Sequence, residues 1–297
     1  MKAGFVGLIG LPNSGKSTLM NAMVGEKVSI VTAKPQTTRR RVVGVVNRPD
    51  AQCLIVDAPG VVGATAGLGR FLKEEALDVI GQSDVLVAIL SIDEPNFESL
   101  MSIVDMVKDS GKPYIIVIQK TDLPELHRPQ ILRDKLKHLG VPILQGSALQ
   151  QSSGLAEMVM DAVVPLLPES AHPLYDADLY TLSSVRDLSA EIIREKCFEK
   201  LHQEVPFGLA VRILSFQEDE GPTVRVEAEI LVAKDNHRPI VIGREGQTLK
   251  GIGTEARLEI QKLVDRKVFL DLKVITRRNW QKNPAAMKDL GYVVQPS

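Results

Sequence analysis

A chain of 297 residues is long enough for two domains at about 150 residues apiece, and its 44% hydrophobic and 25% charged residues are ordinary for a folded globular protein. A formal net charge of −1 excludes a uniformly basic nucleic-acid binder, and no apolar run approaches the roughly 20 residues of a membrane-spanning helix. The two cysteines, Cys53 and Cys197, lie apart in apolar runs without metal-ligand spacing, and the five histidines are scattered, so neither thiol catalysis nor a metal–histidine centre is expected.

The N-terminal apolar run Phe5–Ile9 reads as a buried strand, because it leads into a glycine-rich turn and not into a small-residue cleavage site. A cytoplasmic location is expected. The turn, Gly10-Leu11-Pro12-Asn13-Ser14-Gly15-Lys16-Ser17 followed by Thr18, has the G-x-x-x-x-G-K-[ST] spacing of a phosphate-binding P-loop between a strand and a helix over Lys16–Val24. Glycines let successive N–H groups point at anionic oxygens, and the helix adds its positive end. Lys16 is expected to reach the β- and γ-phosphates, and Ser17 to offer its hydroxyl to Mg²⁺.

Next comes Lys34-Pro-Gln-Thr37-Thr38-Arg39, without clear periodicity, where a threonine could close over the metal and γ-phosphate. Thr38 is favoured and Thr37 is the runner-up. Val42–Asn47 reads as an added strand, and the strand Leu54–Val56 delivers Asp57-Ala58-Pro59-Gly60, a D-x-x-G turn. There the Asp would hold the metal shell and the Gly amide would face the γ-phosphate. Lys16, Thr38 and Gly60 are the expected catalytic set, and Ser17, Thr38 and Asp57 the metal set. Val61 follows where some GTPases carry a water-orienting Gln, so slow intrinsic turnover is expected.

Strands Val85–Leu90, Tyr114–Ile118 and Val141–Leu144 alternate with helical stretches, which predicts a doubly wound, mostly parallel α/β sheet with ligand loops at its carboxyl edge. Gln119-Lys120-Thr121-Asp122 resembles the N-K-x-D base-recognition motif of GTPases, with Gln for Asn. Its Asp122 carboxylate can accept from two adjacent guanine N–H groups that adenine lacks. Ser147-Ala148-Leu149 resembles the last GTPase motif. Prolines 165, 168 and 173 punctuate a connection, and the G domain is placed at 1–168 with a linker over 169–185.

The second half has a different grammar: an amphipathic helix over Leu188–Leu201, a strand Phe207–Phe216, a strictly alternating strand Val224–Ile230, a helix over Gln247–Val264 and a last strand Val268–Ile275. This is an α+β domain, placed at 186–278, with a tail over 279–297. Ile242-Gly243-Arg244-Glu245-Gly246 before the long helix resembles the GXXG loop of a KH domain, which clamps about four unpaired nucleotides. Lys250 and Arg257 join these as RNA-contact candidates. Between Lys234 and Lys288 there are thirteen Lys and Arg against six Asp and Glu, a net of +7, whereas Asp187–Ala233 has five against ten, a net of −5. The basic side lies beside the loop. Trp280 and Tyr292 are expected to pack and not to stack on bases.

Taken together, Pro35-Gln-Thr-Thr-Arg39, the nucleotide elements, Glu191-Ile-Ile-Arg-Glu-Lys196 and Ile240–Gly243 continuing into Ile252–Arg257 make the chain resemble the Era family of bacterial ribosome-assembly GTPases over nearly its whole length. The resemblance implies a GTPase domain followed by a smaller type II KH domain. It also implies GTP/GDP and Mg²⁺ as cofactors, with K⁺ through Asn13 if that residue is more than a helix-entry residue. Further implied are binding of the 3′ end of small-subunit (16S) ribosomal RNA, help in 30S assembly, peripheral inner-membrane association and a monomeric state. Departures are Gln119, Ala58 in place of the usual Thr, and the Gly63–Gly67 stretch. Two alternatives stay open on the residues alone: an RNA scaffold with little hydrolysis, and a P-loop kinase, which the guanine motif and the RNA arm disfavour.

Overall fold

The computed structural model describes residues 1–32, 34, 37–60, 67–124, 127–218 and 221–292. They fall into two units, one within Met1–Ala64 and Leu72–Leu182, the other within Thr65–Phe71 and Ser183–Ser297.

In the first unit, six apolar runs pair into one sheet: β1 (Lys2–Gly10), β2 (Val42–Arg48), β3 (Ala51–Asp57), β4 (Val85–Ser91), β5 (Tyr114–Gln119) and β6 (Ile143–Gly146). Their order is β2-β3-β1-β4-β5-β6, and every pair is parallel except β2 with β3. Every residue of β3 and β4 is buried, as expected of strands covered on both faces. The helices are α1 (Lys16–Val24), α2 (Gly67–Gln82, which belongs to this unit from Leu72 onward), α3 (Phe97–Asp109), α4 (Arg128–Leu136) and α5 (Leu155–Val163). Leu19 and Met20 of α1 and Val159 and Met160 of α5 fill one side of the sheet against Val6, Leu8, Val87 and Val117. Val79 of α2, Ile103 and Val107 of α3 and Leu132 of α4 fill the other against Ile9, Leu86 and Leu90. The chain leaves β1 toward β3 on one flank and returns to β4 on the other. The loop after β1 therefore sits at the switch point where such sheets bind ligands.

The expected strand Val42–Asn47 is β2. The expected strand Val141–Leu144 starts two residues later, at Ile143, because Pro142 has no N–H to give; its carbonyl accepts from the Ile116 N–H at 2.9 Å. The expected 169–185 linker is largely part of the first unit. Glu169 bridges Lys2, the Gln52 side-chain oxygen accepts from the Leu174 and Tyr175 N–H groups at 2.7 and 2.9 Å, and Thr181 bridges Gly44. Prolines stop helices but do not stop such edge pairing.

The second unit runs α6 (Val185–Lys200), β7 (Leu209–Gln217), β8 (Thr223–Val232), α7 (His237–Ile242), α8 (Gln247–Val264), β9 (Lys267–Thr276) and α9 (Pro284–Asp289). Its sheet is ordered β7-β8-β9, antiparallel then parallel. Ile193 and Cys197 of α6 and Ile252, Ala256 and Ile260 of α8 pack on the alternate residues Val224, Val226, Ala228 and Ile230 of β8. The ion pairs Lys196–Glu259 (3.0 Å) and Lys200–Glu255 (2.6 Å) tie α6 to α8. Two short helices escape the sequence reading. α7 has six residues, one of them Pro239 and three of them the β-branched run Ile240–Ile242, so it carries no helical periodicity. α9 is capped by the Asn283 side chain, which accepts from the Ala286 N–H at 3.1 Å.

The expected tail is built into this unit as far as Tyr292. Trp280 is fully buried, donates Nε1–H to the Gly208 carbonyl at 2.9 Å and stacks on Tyr292 at 5.6 Å. Both cysteines are buried, and burial pushes their thiols up to about 11 (Cys53) and about 12 (Cys197), so they pack and do not react. Among the described residues, no helix is long and apolar enough to cross a membrane.

Candidate nucleotide and nucleic-acid sites

Backbone geometry explains the composition of the loop between β1 and α1. Asn13 and Gly15 take φ of 61° and 91°. A Cβ at Gly10 would lie 2.6 Å from Ser14 Oγ and 2.7 Å from the Ile89 carbonyl oxygen, so the loop closes only on glycine. The Ser14 N–H donates to the Leu11 carbonyl at 3.2 Å. Lys16 is buried, and its Nζ donates to the carbonyls of Gly10 (3.2 Å) and Leu11 (2.8 Å). Burial lowers its pKa to about 8, nearby Asp57 opposing and Lys120 adding to the effect. Among the described residues no side chain caps α1, whose N-cap is Gly15. A desolvated cation and an uncapped helix start together suit an anion.

At the end of β3, Asp57 is fully buried. Its Oδ2 accepts from Ser17 Oγ (2.5 Å), Ser29 Oγ (2.9 Å) and Thr38 Oγ1 (3.2 Å), and the Ser17 and Thr38 hydroxyls are 3.0 Å apart. Among the described residues its Oδ1 has no hydrogen-bond partner. Burial raises the Asp57 pKa against the pull of Lys16 and the three hydroxyls. An oxygen-only cluster with an orphaned carboxylate atom fits a hard divalent cation such as Mg²⁺. The structure thus brings all three expected metal-set residues together. It also separates the two threonines: Thr38 faces Asp57, whereas Thr37 Oγ1 is hydrogen-bonded to Thr32 Oγ1 and the Lys34 carbonyl, each at 2.7 Å.

Ser29 belongs to this cluster and has no sequence motif. Its signal is indirect: Asn21 on α1 accepts from the Val28 and Ser29 N–H groups (3.0 and 2.9 Å) and donates to the Ser29 carbonyl (2.7 Å), fixing the turn that aims the hydroxyl.

Ala58, Pro59 and Gly60 are buried after Asp57, and a Cβ on Gly60 would lie 2.6 Å from Pro12 Cα and N. That close approach holds the D-x-x-G turn against the P-loop. Val61, with residues 63–66 of the Gly63–Gly67 stretch, lies outside the described residues. A cavity of about 420 Å³, typical of a small-ligand site, opens between these parts and is lined by Pro12, Asn13, Lys16, Thr18, Thr38 and Gly60 on the phosphate side. Asp93, Lys120 and the exposed Leu149 line its other end.

That other end forms where β5 and β6 stop. Lys120 has a φ of 65° and pairs with Asp93 at 2.7 Å; Asp93 is a wall residue without a motif. Asp122 lies exposed in the following turn, pinned by the Leu123 N–H to the Lys120 carbonyl at 3.0 Å. Ser147 is buried and its Oγ accepts from the Leu149 N–H at 3.3 Å. Gln119 is buried, with Nε2–H donating to the Gly15 carbonyl at 2.8 Å and Oε1 accepting from the Ala148 N–H at 3.3 Å.

In the second unit, α7 ends at half-buried Ile242, and Gly243 adopts φ 75°, where a Cβ would collide with Thr248 Oγ1 and come 2.9 Å from the Thr248 N. Glu245 and Gly246 also take positive φ, 51° and 76°, and Gly246 opens α8 without a side-chain cap. Arg244, Glu245 and Lys250 are exposed around this turn. Arg257 is not brought to it: about three turns along α8, its Nη1 donates to Gln261 Oε1 at 2.7 Å.

Residues 5–120 match the family described as 50S ribosome-binding GTPase, and residues 204–281 match the KH domain. The GTPase Era of Syntrophus aciditrophicus is 37% identical over 294 residues, 98% of this chain and 95% of that one. The GTPase Era of Geobacter metallireducens is 37% identical over 297 residues, 98% of each chain. The chain belongs to the Era GTPase family. It is a GTPase, with a P-loop GTP-binding domain and a C-terminal KH domain. Two Era crystal structures align with it at a TM-score of 0.92, each covering 99% of this chain and 100% of the other. One is Aquifex aeolicus Era bound to GDP·AlF4⁻, at 34% identity. The other is Era with MgGDPNP and nucleotides 1506–1542 of 16S ribosomal RNA, at 35% identity.

Proposed function

We propose that this Era-family GTPase is a GTP-dependent switch that binds 16S ribosomal RNA near its 3′ end through the KH loop and assists assembly of the 30S subunit. The convergence of Ser17, Thr38 and Asp57 beside Lys16 carries the nucleotide half of this reading. Lys16 Nζ exchanges its two loop carbonyls for phosphate oxygens, and Ser17, Thr38 and Asp57 would hold Mg²⁺. Once bound, that ion supplies charge neutralisation between the phosphates. Thr38 sits on the segment after α1 and Gly60 on the segment after β3, so both loops sense the same phosphate. Asp122 accepts from the guanine edge.

Gly243–Gly246 with exposed Arg244 and Lys250 supports the RNA half, as does the relative solved with its 16S fragment. Cytoplasmic work as a monomer, peripheral membrane attachment and a K⁺ at Asn13 belong to the same proposal.

The deciding experiment measures affinity for a 16S 3′-end RNA with a GTP analogue or GDP bound, alongside steady-state phosphate release with and without 30S subunits. RNA affinity that differs between the two nucleotide states, with slow release accelerated by the subunit, is the expected result. Equal RNA affinity in both states sinks the switch, and undetectable release leaves only a scaffold.

A further inference from the structure

Ser29 lies in no motif, yet its hydroxyl reaches the carboxylate assigned to Mg²⁺. We propose that Ser29 is a positioning residue for the metal site: it holds Asp57 through Oδ2, so that Oδ1 stays turned to the cation whichever guanine nucleotide is bound. The inference deepens the nucleotide reading above and rests on its Mg²⁺ assignment.

Three observations carry it. Asp57 Oδ2 accepts from Ser17 Oγ, Ser29 Oγ and Thr38 Oγ1, one donor more than the two lone pairs of a carboxylate oxygen, while among the described residues Oδ1 has no partner. Ser17 and Thr38 have a second duty in the metal set, and Thr38 sits on a segment that senses the phosphates. Ser29 has only the carboxylate to serve.

Its anchor is also separate from Thr38. Both main-chain groups of Ser29 are held by one side chain of α1: Asn21 Oδ1 accepts its N–H at 2.9 Å, and Asn21 Nδ2 donates to its carbonyl at 2.7 Å. Asn21 is one turn beyond Ser17 on the same helix face, so one rigid element sets both the Ser17 hydroxyl and, through Ser29, the Asp57 carboxylate. Finally, Ser29 is 3% exposed and Asp57 fully buried, so bulk water does not compete for their 2.9 Å bond.

Mn²⁺ binding to the GDP-loaded and GTP-analogue-loaded protein, followed by electron paramagnetic resonance, tests the assignment without reading turnover. Ser29→Ala should weaken Mn²⁺ binding by about tenfold in both nucleotide states, and leave GDP affinity in EDTA within about twofold of wild type. Ser29→Cys fills the volume of serine but donates poorly, so it should follow the alanine variant. Thr38→Ala should lose more with the GTP analogue than with GDP.

Melts of the nucleotide-free variants check folding, and the cysteine variant carries the test if alanine disturbs the turn. Wild-type Mn²⁺ affinity in Ser29→Ala would overturn the proposal, as would a cysteine variant that binds like wild type beside a weak alanine, since filled volume would then suffice. So would a loss confined to the GTP-analogue state, or an equal loss of GDP affinity with and without metal. Wild-type protein that holds GDP equally well in Mg²⁺ and in EDTA would overturn the Mg²⁺ assignment itself, and the positioning role with it.

Discussion

Burial of Lys16 gives the phosphate site a pH signature. The side chain keeps its proton to about pH 10.5 when unfolded and to about 8 when folded without ligand. Between those values the unfolded chain binds more protons, so nucleotide-free stability should rise with pH across that window. Phosphate beside Lys16 raises its proton affinity again, so nucleotide binding should take up a proton there. Affinity for Mg·GDP should fall above pH 8, by up to about tenfold per unit. Calorimetry at pH 9 in two buffers of different ionisation enthalpy reads the uptake, and identical enthalpies would refute it. Asp57 makes the complementary case. With Oδ1 unpartnered and burial raising its pKa, Asp57→Asn should leave nucleotide-free stability unchanged or improved by about 1 kcal/mol while Mg²⁺ no longer tightens GDP binding. Melts with and without Mg·GDP compare the two effects.

Among the elements, the turn between α7 and α8 separates two uses of glycine. At Gly246 a Cβ meets nothing within 4 Å, and only the φ of 76° is strained, so Gly246→Asp should cost about 1–2 kcal/mol and still fold. RNA affinity should drop at least tenfold, since a carboxylate then stands where phosphate must approach, and Mg·GDP affinity should not change; filter binding and nucleotide titration test both. Gly243 is different, because Thr248 occupies the space, so Gly243→Ala should disturb the start of α8 itself. How much was legible in the sequence follows the same physics. Buried strands of the first unit could be read because two-sided burial demands unbroken apolar runs, and α8 because eighteen residues show their period. α7 could not, since six residues with Pro239 have none. The meeting of Ser17 and Asp57 was legible because each lies in a recognisable motif, the P-loop and the D-x-x-G turn. Ser29 and Asp93 were not, because each reaches the site through a fold contact that no local pattern announces.

For the whole molecule, the net charge of −1 is the sum of unlike parts, and the two units carry separate apolar cores. Two calorimetric transitions are therefore expected. Mg·GDP at a hundred times its Kd should stabilise the first unit by about 2.7 kcal/mol and move its transition by roughly 5–10 °C, leaving the other in place. Movement of both by the same amount would show that the units unfold together.

The return of the chain to β2 has a further consequence. β2 is the outermost strand on its side of the sheet, and such a strand offers unpaired amides to any similar chain. Here the Val45 N–H donates to the Tyr180 carbonyl at 2.9 Å and the Leu182 N–H to the Val43 carbonyl at 3.1 Å, so a piece of the same polypeptide occupies the row. Cover of this kind is expected to guard against self-association. A G domain cut at 168 should aggregate or dimerise edge to edge, while one cut at 182 should elute as a monomer on size exclusion.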